Sequence, residues 1–260
     1  MSLSEDVSRF NPKDNKKYNK KEYWDERYST EESFDWFVGY DEIKELLQKY
    51  IKKTDRVLML GCGNSSLSVD MYQDGFCDIT NTDYSPPCIQ KMSSKYETSL
   101  PGMSWLVMDA KNLDFDDASF DVILEKGMFD ALMVDEDSPW TVSTESKQCF
   151  QQILTEVSRV LKDDGRFVSI TFAQPHFRSP HYAQAKYNWS LVQDTIETPG
   201  KIVDYFCYTM TKGNQLTTEQ MKTAETFFNP EVPDITQVST YMDVEETEED
   251  LFKSFLSLDF

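Results

Sequence analysis

Residues 56–68 read RVLMLGCGNSSLS, and an acidic residue, Asp83, follows about 20 positions after the glycines. The apolar run Val57 to Leu60 meets Gly61 and Gly63, and Asn64, Ser65 and Ser66 then open a helical pattern. That order predicts a strand, a tight glycine turn and a helix N-terminus, a turn in which backbone approaches a ligand closely. Asp83 closes a second strand-like run, at the spacing where a carboxylate accepts hydrogen bonds from ribose hydroxyls. The combination points to a nucleoside ligand, although a purely structural glycine turn satisfies the same short pattern.

A dinucleotide site wants a third glycine so that the helix packs close and its N-terminus meets a pyrophosphate. Here that region is Asn64-Ser65-Ser66, and no GxxxxGK[ST] phosphate loop occurs in the chain. A cofactor without phosphates fits better, and S-adenosylmethionine, with its ribose, adenine and charged amino-acid tail, is one. An NAD oxidoreductase stays open as a disfavoured class.

The residues that follow strengthen the nucleoside reading. Trp105 to Met108 is apolar and β-prone and ends at Asp109; Phe120 to Leu124 is a further apolar run ending in Glu125-Lys126-Gly127. Gly61 and Gly63, Asp83 and Asp109 thus stand at the C-terminal ends of successive strands, the edge where open α/β sheets bind ligands. Between the strands lie helical patterns: Ser65–Gln73, a segment capped by Ser85-Pro86, and Glu145–Leu161 with apolar residues at three- and four-residue steps. Asp163-Asp164-Gly165 is expected to end that last helix before a strand over Gly165–Phe172. Upstream, helices are expected over Tyr23–Tyr28 and Asp41–Ile51, and downstream Trp189–Thr195 and Ile202–Met210 read as an antiparallel pair. The alternation predicts an α/β fold, doubly wound, with a mainly parallel sheet and helices on both faces.

At 260 residues the chain suits one such domain. The expected organisation is a flexible N-terminal arm over residues 1–20, carrying lysines such as Lys13, Lys16 and Lys17, and a single domain over residues 21–260. The C-terminal segment includes the acidic run 245–250 and an apolar end, 251–260. A net charge of −20 disfavours nucleic acid and anionic membranes as partners and suits a basic macromolecule, although solubility alone is a sufficient reason for it. Five cysteines without a CxxC motif read as reduced and intracellular, and two histidines are too few for a typical zinc cluster without cysteine help. No apolar run approaches the roughly 20 residues of a membrane span. A cytoplasmic monomer is expected.

The whole pattern resembles the seven-strand S-adenosylmethionine-dependent methyltransferases, and more narrowly the lysine methyltransferases of translation elongation factor 1-alpha, the type 4 group in particular. The narrower likeness rests on EYWDERY (22–28), FDWF (34–37), LGCGNSS (60–66), VILEKGMFDAL (122–132), PWTVS (139–143) and PHFRSPHYAQAKYNWS (175–190). Met59 departs from the acid common in the superfamily, and Met128-Phe129 from the Thr-Leu of near relatives. The resemblance implies a Rossmann-like seven-stranded sheet with an antiparallel last strand, S-adenosyl-L-methionine as cofactor and a lysine of elongation factor 1-alpha as acceptor. Cofactor contacts are then expected from Trp24, Tyr28, Trp36, Gly61, Gly63, Asp83, Tyr84, Asp109, Ala110 and Lys126, the last through its backbone. Trp140, His176, Phe177, His181 and Tyr182 are expected to shape the acceptor channel, with no metal.

Glu125 and Asp130 are the carboxylates expected at the mouth, to attract the lysine and take or relay its proton. Each has a bland counterpart: Glu125 organising the EKG turn by hydrogen bonding, and Asp130 as a cap or solvated acid. The two histidines are as well explained by structural hydrogen bonds, and aromatics at helical spacing by a core. A small-molecule methyltransferase, or a cofactor-binding module without turnover, fits the same fold.

Overall fold

The computed structural model describes residues 12, 14–136, 138, 142–198 and 203–229. The arm expected to be flexible is docked in its described part: Asp14 caps a 3-10 turn, Asn15–Asn19, that runs into helix α1, Lys21–Thr30. The acidic run 245–250, the apolar end 251–260, Trp140 and Ile202 lie outside the described residues.

Seven strands form one sheet in the order β3-β2-β1-β4-β5-β7-β6. They are β1 Arg56–Leu60, β2 Asp78–Asp83, β3 Met103–Val107, β4 Phe120–Lys126, β5 Leu161–Thr171, β6 Trp189–Ile196 and β7 Tyr205–Lys212. Parallel ladders join β3, β2, β1, β4 and β5. The last strand, β7, is antiparallel to both β5 and β6, as expected of the final pair.

Helices α1, α2 (Tyr40–Tyr50), α3 (Leu67–Gln73) and α4 (Pro86–Tyr96) cover one face through Trp24, Ile43, Leu47, Met71 and Met92. Helices α5 (Met128–Leu132), α6 (Thr144–Val160), α7 (Pro175–Tyr182) and α8 (Thr218–Phe228) cover the other, with Phe129, Phe150, Leu154, Val157 and Tyr182 fully or almost fully buried. Strands covered on both faces need apolar residues at successive positions, and Val57, Leu58, Met59 and Leu60 are all buried.

Three local outcomes differ from the sequence reading. Ser85 occupies the N-cap of α4, but its hydroxyl donates to Asp25 Oδ1 at 2.6 Å and so ties α1 to α4 instead of capping the helix. The Asp163-Asp164-Gly165 break falls inside β5, where Asp164 takes φ +60° beside an irregularity in the β4–β5 register. Helix α8 was not expected from the thinning apolar pattern; a capping box, Thr217 with Gln220, starts it.

Candidate functional site

The strand ends of β1, β2, β3 and β4 open onto a cavity of about 240 Å³. After β1 the chain turns through Gly61 (φ +65°) and Gly63 (φ +53°), left-handed conformations that a side chain strains. Space demands glycine as well: a Cβ at Gly61 meets Met128 Cγ at 2.8 Å, and one at Gly63 meets the Tyr28 hydroxyl at 2.8 Å. The turn is held by Cys62 N–H donating to Thr82 O at 2.9 Å.

Asp83 is 5% exposed at the end of β2. Its Oδ2 accepts from Gly63 N–H at 3.0 Å and its Oδ1 from Ser85 N–H at 3.0 Å, so one carboxylate fixes the glycine turn and the start of α4 together. Burial pushes its pKa up to about 6, against the pull of those two amides. Each carboxylate oxygen keeps a further lone pair for a ligand hydroxyl. Asp109, beyond β3, is exposed at the rim, accepts Lys111 N–H at 2.9 Å and pairs with the Lys111 ammonium at 3.5 Å.

The opposite wall is aromatic. Trp24 stacks on Tyr28 with centroids 5.4 Å apart, while Tyr18 lies edge-on to Trp36 at 5.5 Å. The Arg27 guanidinium sits 5.1 Å from the Trp36 ring and 4.8 Å from Phe34, and it forms a buried two-point bond with Glu31 at 2.9 and 2.8 Å. Asp35 clamps the segment that carries Trp36: it accepts from the Ser65 hydroxyl, from Ser66 N–H at 3.2 Å and from Ser66 Oγ at 3.0 Å. Burial alone raises the Asp35 pKa, but the Lys126 charge and the two serines outweigh it and hold the carboxyl below its ordinary value. The Lys126 side chain has a task of its own: its nearly buried ammonium donates to Trp36 O at 2.5 Å and pairs with Asp35 at 3.4 Å. Burial lowers the Lys126 pKa, with Asp35 opposing.

Every residue expected to contact the cofactor lines this cavity: Trp24, Tyr28, Trp36, Gly61, Gly63, Asp83, Tyr84, Asp109, Ala110 and Lys126. Met128, which the sequence reading singled out as a departure, lines it as well, and sequence reasoning missed Tyr18, Asn19, Cys62, Ala131 and Leu132, which line it too. Tyr18 is fastened by Trp24 Nε1–H donating to its carbonyl at 2.7 Å, and Asn19 by a 2.6 Å bond to Asp135 just beyond α5.

Glu125, Asp130, His176, Phe177, His181 and Tyr182 do not line the cavity, and Trp140 lies outside the described residues. Glu125 is wholly buried behind α5: it accepts from Met128 N–H at 3.1 Å, from Phe129 N–H at 3.5 Å and from the Ser169 hydroxyl. Burial, and then the Asp130 charge, push it up to about 7. Asp130 accepts from Arg178 Nη2 at 2.7 Å and from the Thr171 hydroxyl, and burial raises its pKa despite the Arg178 charge. Tyr182 is buried and shares a 2.7 Å hydrogen bond with Ser169. His181 packs 4.6 Å from the Phe150 ring, and burial drives its pKa down to about 3, leaving it neutral. His176 and Phe177 lie ring to ring at 3.8 Å on α7, away from the cavity lining. Glu125, Asp130 and Tyr182 instead point into the layer between β5, α5 and α7, where Ser169, Thr171 and Arg178 meet them, while the buried His181 Nε2 has no hydrogen-bond partner.

A family model described as "Methyltransferase domain" matches residues 51–231. The chain is 41% identical over 225 residues to "EEF1A lysine methyltransferase 4" of Bos taurus, covering 85% of this chain and 87% of that one. It is 41% identical over 213 residues to the Mus musculus protein of that name, covering 81% and 82%. Among solved structures the cyclase SpnF superposes with a TM-score of 0.50 at 13% identity, covering 71% of this chain and 85% of that one, a likeness of fold alone.

Proposed function

Since the chain belongs to the methyltransferase-domain family, and within it to the group of the EEF1A lysine methyltransferases, we propose that it transfers a methyl group from S-adenosyl-L-methionine to a lysine of translation elongation factor 1-alpha. The observation that supports this most is the single cavity in which the Asp83 carboxylate, the glycine turn and an aromatic wall converge. The residues fit the cofactor: a buried carboxylate with spare acceptor positions suits ribose hydroxyls, and the glycine turn that it fixes lines the same cavity, with Met128 and the Tyr28 hydroxyl packed where Cβ atoms would stand. Asp109 suits an adenine amino group, and Trp24, Tyr28 and Trp36 suit the sulfonium end, since aromatic faces favour a cation. When bound, the cofactor supplies an electrophilic methyl group.

The chain's own task is then to place an amine that has given its proton to solvent. Holding two reactants in line supplies about 7–11 kcal/mol of the barrier. A lysine of pKa near 10.4 is neutral in about one molecule in two thousand at about pH 7.1, a handicap of about 4–5 kcal/mol. The aromatic wall formed by Tyr18, Trp24 and Trp36 excludes water from the amine and favours its neutral form. Glu125 and Asp130 act by fixing α5, whose Met128, Ala131 and Leu132 face the cavity. The net charge of −20 suits a basic protein substrate, and none of the described helices is long and apolar enough to cross a membrane.

The test is mass spectrometry of a cell lysate, and of purified elongation factor 1-alpha, incubated with the protein and isotopically labelled cofactor. The expected result is label on a lysine of the factor, absent with Asp83→Ala whose circular dichroism matches the parent. Label confined to small metabolites, or equal labelling by Asp83→Ala, overturns the reading.

A further inference from the structure

Two cysteines meet the Asp83 carboxylate where β1 and β2 end and α4 begins. Cys62 lies between the two glycines and lines the cavity; Cys88 lies in the first turn of α4, fully buried directly behind it. Cys62 Sγ, Cys88 Sγ and an Asp83 oxygen all lie within 4.8 Å of one another.

That spacing is close to what a tetrahedral cation requires. Zinc–sulfur bonds of about 2.3 Å and zinc–oxygen bonds of about 2.0–2.2 Å put neighbouring ligand atoms about 3.5–3.8 Å apart. A contraction of at most about 1.3 Å therefore closes the set around one ion, and the cavity supplies both the entry path and a fourth position. The outer shell is already built, because Gly63 and Ser85 amides fix the carboxylate. Two thiolates and a carboxylate around a divalent ion leave one net negative charge. It faces the N-terminal end of α4, with the Lys91 charge acting on Cys88 and that of Lys21 on Asp83. Two sulfur donors select a thiophilic ion over magnesium or calcium, and each ion bound releases two protons from the thiols. Burial of thiols as small apolar groups accounts for Cys88 by itself, but not for its convergence with a second thiol and a carboxylate in a cavity wall.

We propose that Cys62, Asp83 and Cys88 bind one thiophilic divalent cation such as zinc, and that its occupancy excludes the nucleoside by taking the Asp83 carboxylate. The site itself is independent of the methyltransferase reading; the exclusion rests on it. A methyltransferase so built is silenced by free zinc and restored by chelation.

The experiment uses the full chain, reduced and metal-free. Cobalt(II) is titrated in and read by its thiolate charge-transfer band, zinc is used to displace it, and native mass spectrometry counts the ions. One ion per chain is expected, with affinity unchanged in Cys77→Ser. Outer-shell partners already change affinity 10–100-fold, so removing a ligand in Cys62→Ser or Cys88→Ser is expected to weaken binding about 100-fold or more. No bound ion, or undiminished binding in Cys88→Ser, overturns the site. In parallel, S-adenosylhomocysteine binding is measured calorimetrically with and without one equivalent of zinc. Zinc is expected to abolish it in the parent, chelator to restore it, and Cys88→Ser to bind the nucleoside in either condition. Simultaneous binding of both ligands overturns the exclusion. Zinc binding without any nucleoside binding leaves the metal site standing and removes the cofactor reading instead.

Discussion

Glu125→Gln separates a buried positioning carboxylate from a proton-accepting one. Glu125 rises from 4.5 to about 7 on folding, chiefly through burial. That shift corresponds to about 3 kcal/mol at about 1.4 kcal/mol per unit. Its sign follows from linkage: between pH 4.5 and about 7 the folded chain holds a proton that the unfolded chain has released. The stability this protonation gives is fully present below pH 4.5 and is lost as pH rises through about 7. Gln does not titrate, and its carbonyl still accepts from the amides of Met128 and Phe129. Urea unfolding of parent and variant across this range is therefore expected to show the difference moving by about 3 kcal/mol in favour of Gln as pH rises. Methyl transfer at saturating substrate is expected to stay within about tenfold of the parent, because the carboxyl does not line the cavity. Parallel stability curves refute the burial argument. A folded, cofactor-binding variant with turnover down by about 10²–10⁴ returns Glu125 to the role of base.

Other parts of the site give separate tests. Asp35→Ala removes the acceptor shared by Ser65, Ser66 and Lys126 and is expected to cost about 2 kcal/mol in urea unfolding, with weaker binding of S-adenosylhomocysteine as Trp36 loses its anchor. Gly61→Ala places a Cβ 2.8 Å from Met128 Cγ at φ +65°. About 1–2 kcal/mol of backbone strain, or several degrees in melting temperature, is expected, and Met128→Ala in the same chain relieves the contact but not the strain. Arg178→Met strands the buried Asp130 carboxylate and is expected to cost about 3–5 kcal/mol, a loss that Asp130→Asn partly recovers in a double-mutant cycle.

What the sequence made legible was whatever rests on local chemistry. The β1 turn needs Gly61 and Gly63 for its φ angles, and Asp83 and Asp109 stand at or just beyond the ends of strand-like runs. The glycine turn and strand-end acids of the cavity were therefore identifiable from local chemistry, whereas Trp24, Tyr28 and Trp36 followed from the family resemblance. Depth was not legible. Glu125 lies near the end of a strand buried on both faces, so no polar alternation reveals which side it points to, and its partner Ser169, itself bonded to Tyr182 of α7, arrives from β5. Tyr18 and Asn19 sit in a lysine-rich arm whose docking depends on Asp135, more than a hundred residues away. Helix α8 did carry a local sign, the Thr217–Gln220 capping box, hidden by a weak apolar stripe.

The central claim is tested most directly by a crystal structure of the protein with S-adenosylhomocysteine. Both ribose hydroxyls are expected within about 3 Å of the Asp83 carboxylate oxygens, with the amino-acid tail lying against Trp24 and Trp36. A nucleoside bound elsewhere, or a cavity that stays closed to it while Asp83 keeps only its bonds to Gly63 and Ser85, contradicts the account.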